Sequence, residues 1–230
     1  MTGWSLFILP SETKTRTQRR RLGRQAARFV LTTIYVVIAA EVFLRLFAPQ
    51  AVMPRYICAG DNGIRANQPN KNYWHTAPTF HVNMRINSKG LRDDREISYK
   101  KPTGVKRIVM VGDSYGMGYG VNVEDTFAQV LERAINDTGT ACEVINLSVS
   151  GFGSAEESIM LTTEGFKYDP DLAIIQFNSS DPRETMASGL FALDNGSLVR
   201  ENQTYLPAVG IQMALFDFPP YRFIAEHSQL

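Results

Sequence analysis

Arg107-Ile108-Val109-Met110-Val111-Gly112-Asp113-Ser114 is the stretch on which the reading of this chain turns. Four consecutive apolar residues, Ile108, Val109, Met110 and Val111, suit a strand covered on both faces, as in a parallel α/β sheet. Gly112 lets the backbone turn sharply where the strand stops. The turn holds Ser114 at the strand's carboxyl end, where open α/β sheets place their ligands. That is a good mount for a nucleophile, but Gly-Asp-Ser is also an ordinary turn, and its meaning depends on the residues C-terminal to it.

Those residues are rhythmic. Asp125 or Thr126 can cap a helix running to about Asn136, with Phe127, Val130, Leu131, Ala134 and Ile135 on its apolar face. Residues 143–147 form a second short apolar strand, and residues 148–153 a loop. Ser154 can cap a second helix over 155–166, Asp169-Pro170 ends that connection, and residues 172–177 make a third strand. Such short connections predict right-handed βαβ units and a parallel sheet. All three strand ends then meet along one sheet edge, bringing Ser114, Gly151 and residues 178–181 together.

The remainder of the chain sets the context. With 230 residues, 44% hydrophobic and 20% charged, it has enough core for one domain plus extras. A net charge of +1 predicts no nucleic-acid partner for the chain as a whole. The basic residues are concentrated early: Lys14, Arg16, Arg19, Arg20, Arg21, Arg24 and Arg28, against Glu12 alone. An apolar run over 29–48 comes next, interrupted by the charges of Glu41 and Arg45 only, and it is long enough to cross a bilayer as a helix. Its Ile, Leu, Val and Phe residues contribute about −4 to −6 kcal/mol on the insertion scale. Glu41 and Arg45, four apart, can pair on one face, and Arg45 can reach the headgroups. The excess of basic charge before the span places the N-terminus in the cytoplasm and everything after it outside.

The expected organisation is a basic cytoplasmic tail over 1–28, a transmembrane helix over 29–48, a connector with some β structure over 49–105, and an α/β domain over 106–230. Pro49, Pro54, Pro69, Pro78 and Pro102 punctuate the connector. Within it, Val82, Met84 and Ile86 alternate with Asn83 and Arg85 as in a half-buried strand, with a Ser88-Lys89-Gly90 turn after it. His75 and His81, beside Trp74 and Phe80, read as packing or surface residues. Cys58 and Cys142 read as unpaired. No metal-ligand spacing is present, and no cofactor is expected. Gly116-x-Gly118-x-Gly120 reads as a flexible loop beside Ser114 rather than a phosphate cradle, because no Lys-Ser/Thr succeeds it.

The blocks together resemble the SGNH (GDSL-type) hydrolase superfamily. Gly112-Asp113-Ser114 matches its first block, and Asn146-Leu147-Ser148-Val149-Ser150-Gly151 is similar to its second. The third block, Gly-x-Asn-Asp in the family, corresponds here to Asn178-Ser179-Ser180-Asp181, so Ser180 stands where the Asn is expected. The basic tail, a span ending in Glu-x-x-x-Arg-Leu, and Asn87-x-x-Gly90-x-Arg92 resemble a membrane-anchored bacterial subgroup. The resemblance implies a flavodoxin-like three-layer α/β/α sandwich with a parallel sheet. It implies Ser114 as nucleophile, the amides of Ser114 and Gly151 in the oxyanion hole, Asn178 or Ser180 as the third donor, and Asp113 in support. Asp181 resembles the acid after the family's Asn, where a structural hydrogen-bonding role is as good a reading as a catalytic one. The implied activity is that of a serine esterase or O-acyltransferase on an acylated small molecule, glycan or lipid, outside the cytoplasm at the bacterial plasma membrane. A non-catalytic binding or assembly module on the same fold is the alternative. The family's base lies in an Asp-x-x-His block, which none of His75, His81 and His227 reproduces. The expectation is therefore a fragment whose base is encoded downstream.

Overall fold

The computed structural model describes residues 12–230, with side chains from residue 18 onward. Residues 1–11 of the expected tail, and the side chains of Lys14 and Arg16, lie outside that range. The described residues fall into two units, 12–50 with 229–230, and 51–228.

The first unit is built on one continuous helix, α1 (Glu12–Phe47). At 1.5 Å per residue its 36 residues extend about 54 Å. Over Gln18–Phe47 it is long and apolar enough to span a membrane, and Phe29, Leu31, Tyr35 and Phe47 are bare. Glu41 and Arg45 pair as their spacing predicts, at 2.7 Å.

In the second unit, residues 51–105 supply two antiparallel pairs. These are β1 (Ile57–Ala59) with β2 (Arg65–Asn67), and β3 (Asn72–Ala77) with β4 (Phe80–Arg85). The alternation expected in β4 is present: Val82, Met84 and Ile86 are buried and Arg85 is exposed.

The predicted parallel sheet forms from β5 (Lys106–Val111), β6 (Cys142–Asn146) and β7 (Leu172–Ile175), in the order β6-β5-β7. Side chains on β5 alternate between two apolar clusters. Ile108 and Met110 pack towards α3 (Phe127–Asn136) through Ala128, Leu131 and Ile135. Val109 and Val111 join Ala155, Ile159 and Met160 of α4 (Ser154–Thr163). Buried Arg107 binds Glu143 and the carbonyls of Ser98, Tyr99 and Tyr168, tying the approach to β5 onto the sheet.

Several local expectations need correcting. Phe127 and Val130 of α3 are exposed; the face that packs is Ala128, Leu131 and Ile135, whose three- and four-residue spacing aligns them over β5 and β6. Thr126 is the N-cap of α3, accepting from the Gln129 amide at 3.4 Å. For α4 the N-cap is Gly153 rather than Ser154, and Glu156 reaches back to the Gly153 amide at 3.2 Å. A hairpin that the sequence did not lead us to expect joins β8 (Phe191–Asp194) to β9 (Ser197–Arg200). Asn195-Gly196 makes its turn with both residues at positive φ, the turn chemistry that two-residue hairpins demand. Helices α5 (Asp181–Ser188), α6 (Val209–Asp217) and α7 (Pro219–His227) complete the unit. Cys58 and Cys142 are free thiols.

Candidate functional site

Strand β5 delivers Ser114 as the first residue of a one-turn helix, α2 (Ser114–Met117). Asp113 caps it: Oδ1 accepts from the Tyr115 amide at 2.8 Å, the usual role of an Asp before a helix. Gln176, just beyond β7, places Oε1 under the same turn and accepts from the amides of Asp113 (3.2 Å) and Gly116 (3.0 Å). The Ser114 amide has no acceptor among the described residues. Close approach is what requires glycine at 112 and 116. A Cβ on Gly112 would meet Gln176 Oε1 at 2.5 Å, and one on Gly116 would meet Ser148 Oγ at 2.6 Å.

The other two strand ends are fastened to this turn. The Val149 amide donates to the Gly112 carbonyl at 3.1 Å, and Asn146 Nδ2 donates to the Gly116 carbonyl at 2.7 Å. Gly151 lies two residues further on in a left-handed conformation, φ 81°, which suits only glycine without strain. Its carbonyl accepts from the Arg65 guanidinium, while its amide has no acceptor among the described residues. From the third end, Asn178 Nδ2 donates to Asp113 Oδ2 at 2.7 Å. Of the two candidates for the third donor, Asn178 is therefore the one brought against the Gly-Asp-Ser turn. Ser180 sits at the N-cap of α5 with no side-chain capping bond.

The glycine loop after Ser114 is not the free loop expected from its composition. Arg92, buried, sends its guanidinium to the carbonyls of Met117 (3.1 Å), Gly118 (2.5 Å) and Val121 (2.6 Å). Five fixed N–H donors let one side chain hold the whole loop, which a lysine ammonium cannot do. Residues before β5 thus position the segment that carries Ser114.

Buried acids lie behind the turn. Asp181 is fully buried; Oδ2 accepts from the Asn178 amide at 2.9 Å, and Oδ1 has no partner among the described residues. Glu157 of α4, 1% exposed, has neither oxygen bonded among the described residues. Burial, then the charges of Asp181, Asp113, Glu156 and Glu184, push its carboxyl up to about 8, so it is protonated at neutral pH. Burial and Asp113 also raise Asp181 above the usual carboxylate range.

Ser114 and Ser150 both open onto a cavity of about 80 Å³ whose walls include Tyr56, Tyr73, His75, Met84 and Met117. The hydrogen bonds of the three histidines run elsewhere than to Ser114. His75 Nε2 meets the Pro54 carbonyl at 2.9 Å, His81 Nδ1 the Thr76 hydroxyl at 2.8 Å, and His227 Nδ1 the Phe223 carbonyl at 2.9 Å. Among the described residues no acid, thiol and imidazole cluster could hold a metal ion.

Sequence reasoning placed neither Gln176 nor Arg65 in the site, and Arg92 only in the Asn87-x-x-Gly90-x-Arg92 motif. A signal existed for the first: Gln176 is the one polar side chain in the apolar run 172–177. Nothing local to Arg92 or Arg65 says which carbonyls they will meet.

No family model matches the chain, and no curated protein matches it. Among solved structures, a mutant of the esterase AlinE4 is similar at 28% identity and a TM-score of 0.30. That likeness covers 35% of this chain and 44% of the esterase, so the chain spans less than half of that protein's length. The likeness is too slight to assign a family.

Proposed function

We propose that this chain is a membrane-anchored serine ester hydrolase or O-acyltransferase of the SGNH type, with an α/β/α arrangement around its parallel sheet. It acts on O-acyl esters outside the cytoplasm. The observation that carries the reading is the convergence on one sheet edge of Ser114, the unoccupied amides of Ser114 and Gly151, and Asn178 bonded to Asp113.

Ser114 Oγ attacks the ester carbonyl carbon; the new C–O bond forms as the bond to the alcohol breaks. The serine proton leaves with the alcohol, and water or a second hydroxyl then takes the acyl group and restores the serine. Negative charge that develops on the carbonyl oxygen is met by amides already in place, each such donor contributing about 2.7–4 kcal/mol in comparable sites. Among the described residues no histidine is hydrogen-bonded to Ser114, so this reading assigns none of the three as the base that takes its proton. The chain by itself is accordingly expected to be a slow catalyst. The same lack of an imidazole on Ser114 favours the second reading, a binding or assembly module that keeps the fold without the chemistry.

A fluorophosphonate probe on the full chain in detergent micelles decides between them. Labelling of Ser114, lost in Ser114→Ala, is the expected result. Absence of labelling by a folded chain over hours at millimolar probe would leave the binding-module reading in its place.

A further inference from the structure

The cavity beside Ser114 is built mainly by residues that precede the α/β part. Tyr56 and Ile57 come from the β1 region, Tyr73 and His75 from β3, and Met84 from β4; Met117 closes it from α2. Each of these six is under 9% exposed, and four of them also belong to one apolar cluster with Val82, Ile86 and Phe216. Alternation along β3 puts Tyr73 and His75 on the same side of the strand, towards Met84, which pairs across from Tyr73. Hence the pocket is set by the hairpin's register, and Arg92 holds that hairpin's neighbour, the Ser114 loop, against it.

Its volume sets its occupant. An engineered apolar cavity of about 150 Å³ takes benzene. At about 80 Å³, roughly half of that, this cavity suits a short acyl tail and is too small to enclose a long one. The chemistry of the walls agrees. Burial raises the phenols of Tyr56 and Tyr73 and lowers the His75 imidazole, so all three are neutral at pH 7. The carbonyl of Pro54 can only accept, so His75 donates through Nε2 and Nδ1 carries a lone pair, not a charge. Arg55, at the rim, is exposed. Apart from Arg55 the walls named here are neutral, and they accept an apolar acyl tail.

We infer that this cavity is the acyl pocket of the Ser114 site and selects short apolar acyl groups, of acetyl to butyryl size. The inference rests on the esterase reading above and adds the substrate class to it.

The experiment measures acylation of Ser114 by intact-mass spectrometry, with the full chain in detergent micelles and p-nitrophenyl acetate, butyrate and octanoate as probes. Acetate and butyrate are expected to acylate Ser114 at least tenfold faster than octanoate. Met84→Ala, which enlarges the cavity, is expected to narrow the butyrate-to-octanoate ratio at least fivefold, while Met84→Leu leaves it within twofold. Equal or faster acylation by octanoate, lost in Ser114→Ala, would overturn the pocket and leave the esterase reading standing. An unchanged ratio in a folded Met84→Ala chain would also overturn it. No acylation of Ser114 by any ester would sink both.

Discussion

Replacing Glu157 with glutamine tests the buried acids behind Ser114. Glu157 lies 1% exposed near Asp181 and Asp113, and its carboxyl titrates at about 8 in the folded chain against an ordinary 4.5. Between those values the folded protein keeps a proton that the unfolded chain has released. The unfolded state binds fewer protons, so stability falls as pH rises through this window. Each unit is worth about 1.36 kcal/mol, and from pH 6 to 8 the loss is at most about 2.3 kcal/mol once titration near 8 is included. Proton sharing with Asp181 and Glu156, and the high effective dielectric of real interiors, reduce this to about 1–2 kcal/mol. Glutamine keeps the shape and never ionises. Thermal melts of the full chain in detergent at pH 6 and pH 8 are the assay. The natural chain is expected to lose about 2–8 °C over that interval, taking roughly 2–4 °C per kcal/mol for a unit of this size. The Glu157→Gln chain is expected to lose less and to melt higher than the natural chain at pH 8. Equal pH slopes for the two chains, or a variant less stable at pH 8, would refute the reasoning.

Arg92→Met strands the buried carbonyls of Met117 and Gly118, at about 1–3 kcal/mol each; urea unfolding is expected to show a loss of about 2–5 kcal/mol, and a loss below about 1 kcal/mol would show that the loop holds itself. Asn178→Ala removes a 2.7 Å bond to the Asp113 carboxylate, a charge-assisted contact worth about 1.5–3 kcal/mol, so fluorophosphonate labelling of Ser114 should slow about 10- to 100-fold. Ser180→Ala should change that rate less than twofold, and the reverse ranking would return the third-donor role to Ser180. Alkaline phosphatase fused after Leu230 should be active in cells and a cytoplasm-only reporter silent; the opposite pattern would invert the proposed orientation of the span.

Local sequence determined whatever depends on neighbours along the chain. Four apolar residues before a Gly-Asp-Ser turn specify a buried strand, Asp125 or Thr126 marks a helix start, and alternation specifies the β4 face, because period and capping are short-range properties. The parallel β6-β5-β7 sheet agrees with the short βαβ connections, which leave few topologies open. Glu41 and Arg45 paired because a helix brings residues four apart together. Only the tertiary structure decided that Asn178, not Ser180, reaches Asp113, since that distance spans 65 residues of chain. Packing likewise decided that Phe127 and Val130 stay exposed while Ala128 goes in. No local pattern showed that a stretch read as a connector would wall the cavity beside Ser114 and clamp its loop through Arg92. The carbonyls of Met117, Gly118 and Val121 look like any others in sequence. They become a binding site for a guanidinium only when the fold points them at one place and removes the water that would otherwise have satisfied them.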